Sequence, residues 1–320
     1  MATDIGKAQE LARQVRERVG KVIVGQEQVV DQVLVAILAR GHALIEGVPG
    51  TAKTLLVKTV ALALGRDFKR VQMTPDLMPS DIVGTSVFDM TTSSFNVRRG
   101  PIFTTFMLAD EINRAPAKTQ SALLEGMQER QVTIDGVTQP LDCDFTVFAT
   151  QNPIEYEGTY PLPEAQLDRF LFKIVVDYPT EGEEVDILRR RQAGFRDDDL
   201  AAAGVDMAPA AADLGPCRNA ALAVTVSDEV FKYITTITRL TRNNPHLILG
   251  CSPRASVMLL EAAKVLAALR GRDFLTPDDV KDIAPATLRH RLVLRPEAEI
   301  EGLSADDVIA SVLAAVAVPR

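Results

Sequence analysis

The segment Gly47-Val48-Pro49-Gly50-Thr51-Ala52-Lys53-Thr54 constrains this chain more than any other. It follows a short apolar run at 42–46 and precedes an apolar helical pattern that passes through Leu55 and reaches Leu64. A glycine-rich turn between strand and helix brings backbone N–H groups close to a phosphate, and the helix N-terminus adds positive potential. In such a loop Lys53 reaches the β and γ phosphates of a nucleotide, and Thr54 offers its hydroxyl to Mg2+. The strict form of the pattern carries a glycine where Ala52 stands. A residue that opens a helix has ordinary helical dihedrals, so alanine is expected to be tolerated there while Gly47 and Gly50 keep the turn.

Four further apolar runs, at 70–73, 106–109, 145–150 and 171–176, each lead into a polar or helical stretch. Strands alternating with helices predict an α/β fold with a parallel five-stranded sheet. Ahead of the first strand, 26–40 spaces Val30, Val33, Leu34, Ile37 and Leu38 as one helical face and leaves Glu27, Asp31 and Arg40 in water. Residues 82–89 and 95–98 alternate around Thr91-Thr92-Ser93-Ser94, and 131–134 and 137–141 flank Asp135-Gly136, a hairpin-turn pair. Both read as hairpins inserted into the core and projecting from it.

Beyond the fifth strand a charged segment at 181–191 leads into a stretch rich in Ala, Gly, Pro and Asp. The expected division is a core at 1–195, a linker at 196–216 and a small all-α domain at 217–320. Helices are expected at 227–242, 252–270 and 276–290, opened by Ser227, Ser252 and Thr276-Pro277-Asp278-Asp279.

Hydrophobic residues at 47% and charged residues at 24% exclude wholesale disorder and a membrane-embedded bundle. The longest charge-free stretch, 308–318, is shorter than the ~18 residues of a membrane span, and the N-terminus opens no signal peptide, so a cytoplasmic protein is expected. A net charge of −8 argues against coating nucleic acid, where basic residues supply most of the affinity. Cys143, Cys217 and Cys251 lie far apart without a C-x-x-C spacing, so neither a disulfide framework nor a zinc site is indicated, and they read as buried small hydrophobes. His42 reads as strand packing, His246 and His290 as surface residues.

Chemistry gathers at the strand ends. Phe106-Met107-Leu108-Ala109-Asp110-Glu111 delivers two acids at the C-terminal end of an apolar strand, the ligand side of such sheets. Asp110 suits a Mg2+ shell and Glu111 the polarising of a water. The run at 145–150 ends in Gln151-Asn152, where an amide beside the acids suits orientation of that water. Arg169 precedes the fifth strand and fits an arginine finger aimed at a neighbour's γ phosphate, against the plainer reading of a salt bridge with Asp168. Arg254, in Ser252-Pro253-Arg254-Ala255, stands at a helix start where it can meet phosphate or only solvent.

These segments in this order, with a helical module behind them, resemble the AAA+ ATPases and specifically the MoxR family, from about Val22 to the C-terminus. The resemblance implies an AAA+ P-loop core with two hairpin insertions and a small all-α lid domain. It assigns Lys53 and Thr54 to Walker A, Asp110 and Glu111 to Walker B, Asn152 to sensor 1, Arg169 to the arginine finger and Arg254 to sensor 2, acting on its own subunit's nucleotide or a neighbour's. Ile23, Val24 and Gly25 would border the adenine, and the family carries alanine at the position of Ala52. The implied function is ATP hydrolysis with Mg2+ in a homo-oligomeric, hexameric ring that remodels or matures a protein client. A von Willebrand factor A domain protein, and metal or cofactor insertion, belong to the same expectation. The rivals are a nucleic-acid motor and a nucleotide-binding scaffold without turnover. The neutral tip at 91–94 and the acidic one at Asp135 favour a protein over DNA.

Overall fold

The computed structural model describes residues 2–91, 93–152, 159–205 and 212–319. Thr92, Pro153 and the centre of the expected linker, 206–211, lie outside the described residues. In chain order the core contains α1 (Ala2–Gly20), α2 (Glu27–Leu38), β1 (Ala43–Gly47), α3 (Lys53–Ala63), β2 (Phe68–Gln72) and α4 (Pro79–Val83). The hairpin β3 (Gly84–Asp89) and β4 (Ser94–Arg99) follows, then β5 (Phe106–Asp110), α5 (Ala117–Glu129) and the hairpin β6 (Gln131–Ile134) and β7 (Val137–Pro140). The core closes with β8 (Thr146–Gln151), α6 (Glu164–Leu167), β9 (Phe172–Val176) and α7 (Glu181–Gln192). The C-terminal module comprises α8 (Gly215–Ala223), α9 (Asp228–Arg242), β10 (Leu247–Leu249), α10 (Pro253–Leu269), α11 (Pro277–Leu288), β11 (Val293–Leu294), α12 (Pro296–Ile300) and α13 (Ala305–Ala315).

Five parallel strands form one sheet in the order β2-β5-β8-β1-β9. Each expected run becomes one of these strands. The chain leaves β1 through α3 for the far edge and returns inward through β5 and β8. The C-terminal tips of β1, β8 and β5 therefore lie side by side, and Glu46 pairs with Gln151 across the first junction. Successive side chains on a strand point to opposite faces. Ile45 accordingly joins the layer with Leu34, Leu56 and Phe148, and Leu44 the layer with Met107, Leu123 and Phe145.

Several expectations need correction. Helix α2 is buried almost all round rather than on one face, because α1 lays Ala8, Ala12, Val15 and Val19 against the core and α10 covers α2 from the other module. Asp31, expected in water, accepts from Arg16 at 2.6 Å. The lid is helical but not all-α, since β10 and β11 pair as a short antiparallel ribbon. Ser227 and Thr276 cap as expected, whereas the Ser252 hydroxyl caps nothing and has no hydrogen-bond partner among the described residues.

The histidines and cysteines divide. His42 sits in the strand packing as expected: Nδ1 accepts from the Val147 N–H at 2.9 Å, Nε2 lies 3.0 Å from the Met127 carbonyl, and burial pulls its pKa down to about 4. His290 is buried rather than on the surface, because the turn after α11 docks against the chain leading into β9, and burial holds its pKa well below the ordinary value. Cys217 and Cys251 are buried, but Cys143 is exposed on the loop before β8.

Both hairpins form. Asp135 (φ 47°) and Gly136 (φ 83°) supply the two positive φ angles of a tight turn. Asp135 does not simply present its charge outward: its carboxylate accepts from the Ser86 N–H at 3.0 Å and ties the second hairpin to the first.

Candidate active site

The phosphate-type loop lies where β1 ends and α3 begins. A side chain at Gly47 would meet the Val176 carbonyl of β9, and Gly50 takes φ +87°, so both glycines are demanded by geometry. Thr51 closes the turn by donating to the Val48 carbonyl at 2.9 Å. Lys53 donates to the carbonyls of Gly47 (2.6 Å) and Val48 (2.8 Å). Burial lowers its pKa, while the charges of Asp110 and Glu111 push it back up.

Ala52 departs from its expected helical dihedrals. It has φ 59° and ψ 21°, the left-handed region, because the chain must reverse there before α3 can start. A Cβ in that region costs ~1–2 kcal/mol. Ala52→Gly is therefore expected to raise unfolding free energy by about 0.5–1 kcal/mol once glycine's greater unfolded-state freedom is deducted. Denaturant unfolding measures it, and a variant less stable than the parent contradicts the strain assignment.

Strand β5 is buried throughout and carries Asp110 to its end. The Asp110 carboxylate accepts from the Thr150 hydroxyl (2.5 Å) and from Arg70 Nε (2.9 Å). Thr150 in turn accepts from the Glu111 N–H at 2.8 Å, so one hydroxyl on β8 fixes both acids. Glu111 has φ 57°, which turns its side chain off the strand line. Its Oε2 accepts from Gln72 (2.7 Å) and Arg114 (3.0 Å), and Oε1 has no protein partner among the described residues. Asn152 is buried at the end of β8 beside this pair.

Reading the sequence missed Arg70, Gln72, Thr150 and Arg114. Gln72 pairs in register with Asp110, and Arg70 lies on the same face of β2 two residues earlier. Their signal was the polar pair itself, set at the end of an otherwise strand-like run.

Pro49, Gly50, Thr51, Ala52, Lys53, Thr54 and Leu55 line one wall of a cleft of ≈ 400 Å³. Asp110, Glu111, Gln151 and Asn152 line the other, and Asp197, from the segment after α7, closes one side. The Thr54 hydroxyl has no hydrogen-bond partner among the described residues, and Asp110 is an ionisable acid nearby. These are hard oxygen donors of the kind Mg2+ takes, so the residues present fit that ion. Ile23, Val24 and Gly25 lie in the turn between α1 and α2 and do not line this cleft. Ile23 is buried, and Gly25 (φ +68°) faces the Glu183 carboxylate.

Arg169 and Arg254 are elsewhere. They share a separate pocket of ≈ 220 Å³ with Arg40, Arg130 and Glu261. Arg169 precedes Phe172, which pairs with Ala43 at the start of β1, whereas Gly47 at the loop pairs with Val176. Four strand steps of ~3.3 Å place the two ends about 13 Å apart. The plain alternative, an Arg169–Asp168 salt bridge, is absent: Asp168 pairs with Arg291 (2.8 Å) and more distantly with Arg254 (3.9 Å). The Arg169 side chain has no ion pair or hydrogen bond among the described residues.

A sheet of this order, a phosphate-type loop with an acid pair on the neighbouring tips, and a helical lid define an AAA+ ATPase fold. Residues 42–172 match the "ATPase family associated with various cellular activities (AAA)", and residues 239–312 match an AAA lid domain. The chain is 46% identical over 311 residues to "Chaperone MoxR1" of Mycobacterium tuberculosis, covering 94% of this chain and 81% of that protein. It is 46% identical to protein YeaC of Bacillus subtilis, across 95% of this chain and 93% of that one. It is 30% identical to "Protein MoxR" of Methylorubrum extorquens, across 91% and 90%. A crystal structure from Cytophaga hutchinsonii superposes with a TM-score of 0.86 at 40% identity, covering 99% of this chain and 98% of that one. This chain belongs to the MoxR family of AAA+ ATPases.

Proposed function

We propose that this chain hydrolyses MgATP at the junctions between copies of itself in a ring, a hexamer, and uses the turnover to remodel a protein client. The observation that carries the proposal is the split of the functional residues between opposite ends of one sheet. Lys53, Thr54, Asp110, Glu111 and Asn152 surround one cleft, while Arg169 and Arg254 share another pocket. Arg169 precedes the end of β9 that lies about 13 Å along the strands from the loop, and Arg254 lines the same pocket, which supports service to the next subunit's nucleotide rather than their own. Arg254 thereby reads as a trans contact beside Arg169.

In this reading Gly47 to Thr54 hold the phosphates, Lys53 neutralises them, and Thr54 with Asp110 hold Mg2+, which when bound offsets phosphate charge. Glu111 takes the proton of a water held by Asn152. Among the described residues no helix is long and apolar enough to cross a membrane, and a cytoplasmic location is part of this proposal.

The first hairpin supports a protein client. Phe88 and Phe95 pair edge-on at 5.1 Å near its tip, with Phe95 73% and Met90 88% exposed. Exposed aromatics rimmed by polar residues suit apolar protein surface rather than a phosphate backbone. Phe95→Ser is expected to leave basal ATPase and folding largely intact, within about 0.5 kcal/mol for an exposed site, and to abolish stimulation by the client. The assay takes proteins trapped by the Glu111→Gln form, purifies them, and measures ATPase stimulation of the parent and of Phe95→Ser beside a DNA titration. Stimulation by DNA that vanishes with salt, and none by any protein, overturns the remodelling reading.

A further inference from the structure

The sequence Arg289-His290-Arg291 follows α11 of the lid and docks all three side chains on the chain that runs from Asp168 into β9. Arg289 donates to the Lys173 carbonyl at 3.3 Å, and His290 Nε2 lies 3.0 Å from the Phe170 carbonyl. Arg291 does most. Its side chain is 2% exposed, and each N–H of its guanidinium finds an acceptor. Nε donates to the Asp168 carboxylate at 2.8 Å. One terminal nitrogen reaches the Leu171 carbonyl (3.3 Å) and the Thr287 carbonyl in the last turn of α11. The other reaches the carbonyls of Phe170 (2.6 Å) and Asp168 (3.3 Å).

These acceptors flank Arg169 on both sides. The guanidinium therefore grips the backbone before and after a residue whose own side chain is unrestrained by any partner among the described residues. Asp168 also lies 3.9 Å from Arg254, so one carboxylate joins the lid turn, the lid helix and the Arg169 segment. We propose that Arg291 is a positioning residue for Arg169: by fixing the backbone from Asp168 to Leu171 it aims the Arg169 side chain outward and makes that aim follow the lid.

The proposal rests on the reading that Arg169 serves a neighbouring subunit. Lysine cannot substitute for the planar fork, because its three donors sit on one nitrogen and cannot span these acceptors. Misplacement of a catalytic contact by about 1 Å costs on the order of 10²-fold in rate. Arg291→Lys is expected to lower kcat by about 10- to 100-fold while leaving ATP affinity within about twofold, since Arg291 is remote from the cleft. Asp168→Asn, on a side chain 25% exposed, removes the charge without demanding a buried vacancy and should act in the same direction if the lysine variant fails to fold.

The discriminating measurement mixes each variant with Glu111→Gln subunits at constant total protein. A mispositioned finger damages only the neighbour's site, so ATPase should recover in the mixture as it does for Arg169→Ala mixed in the same way. A clamp that merely holds the lid in place predicts lowered ATP affinity and no recovery. Native kcat in both variants, or no recovery where Arg169→Ala recovers, overturns the proposal for Arg291 alone. Failure of Arg169→Ala itself to recover overturns the trans reading, and this inference with it.

Discussion

Glu111→Gln is expected to lower ATP turnover by ~10²–10⁴ and to leave ATP binding in place, whereas Lys53→Ala is expected to lose binding. The difference follows from what each side chain touches. Lys53 lies inside the loop, its ammonium against the carbonyls of Gly47 and Val48, so deleting it removes the positive charge a polyphosphate would meet. Glu111 stands at the rim, held through Oε2 by Gln72 and Arg114, with Oε1 left to accept a proton. Glutamine keeps the shape and can still bond Arg114 through its oxygen, but an amide oxygen is too weak a base to take a proton from water. Steady-state turnover together with the equilibrium affinity for ATP measures both effects. Hydrolysis by Glu111→Gln at the native rate would remove Glu111 from the role of base.

The parts of this architecture that were legible in the sequence are those specified locally. Gly47, Gly50, Lys53 and Thr54 announce the loop because turn and charge sit within eight consecutive positions. Asp135-Gly136 announces its hairpin because that turn demands two positive φ angles. Four of the five strands are largely apolar or β-branched runs of ordinary length, while β2 carries Lys69, Arg70 and Gln72 and is legible only through its strand-like spacing. What was missed is specified by contact between distant segments. The stripe Ala8, Ala12, Val15 and Val19 is made of small residues in a polar helix, and only the groove it fills reveals that it is buried. Gln72 and Thr150 acquire their roles from the strand order, which places β2 and β8 on either side of β5. His290 is buried by the docking of the lid turn, an event invisible in its immediate neighbours. Ala52 failed for a different reason: the residue before a helix was given helix dihedrals, although the reversal of the chain requires the left-handed region there.

Arg169→Ala is expected to lower turnover by ~10³–10⁵ while ATP stays bound, the scale at which an arginine finger acts in phosphoryl transfer. The register supports a role away from the subunit's own loop, because β9 runs parallel to β1 and Arg169 lies before the end where Phe172 meets Ala43. The residue is half-buried, without an ion pair among the described residues, and shares its pocket with Arg254. A half-buried cation held by no ion pair among the described residues suits an anion that arrives from outside the chain, which supports the trans reading. In a ring of identical subunits each interface joins one copy's cleft to the next copy's pocket. An Arg169→Ala subunit retains Glu111, and a Glu111→Gln subunit retains Arg169, so an interface with the first as nucleotide holder and the second as neighbour is complete. At equal mixing roughly a quarter of interfaces have that composition if subunits assort at random, and ATPase should recover to about that fraction from two inactive proteins. With subunit exchange confirmed by labelled protein, absence of recovery across mixing ratios places the essential arginine in its own subunit's chemistry, against the strand register that separates Arg169 from the loop.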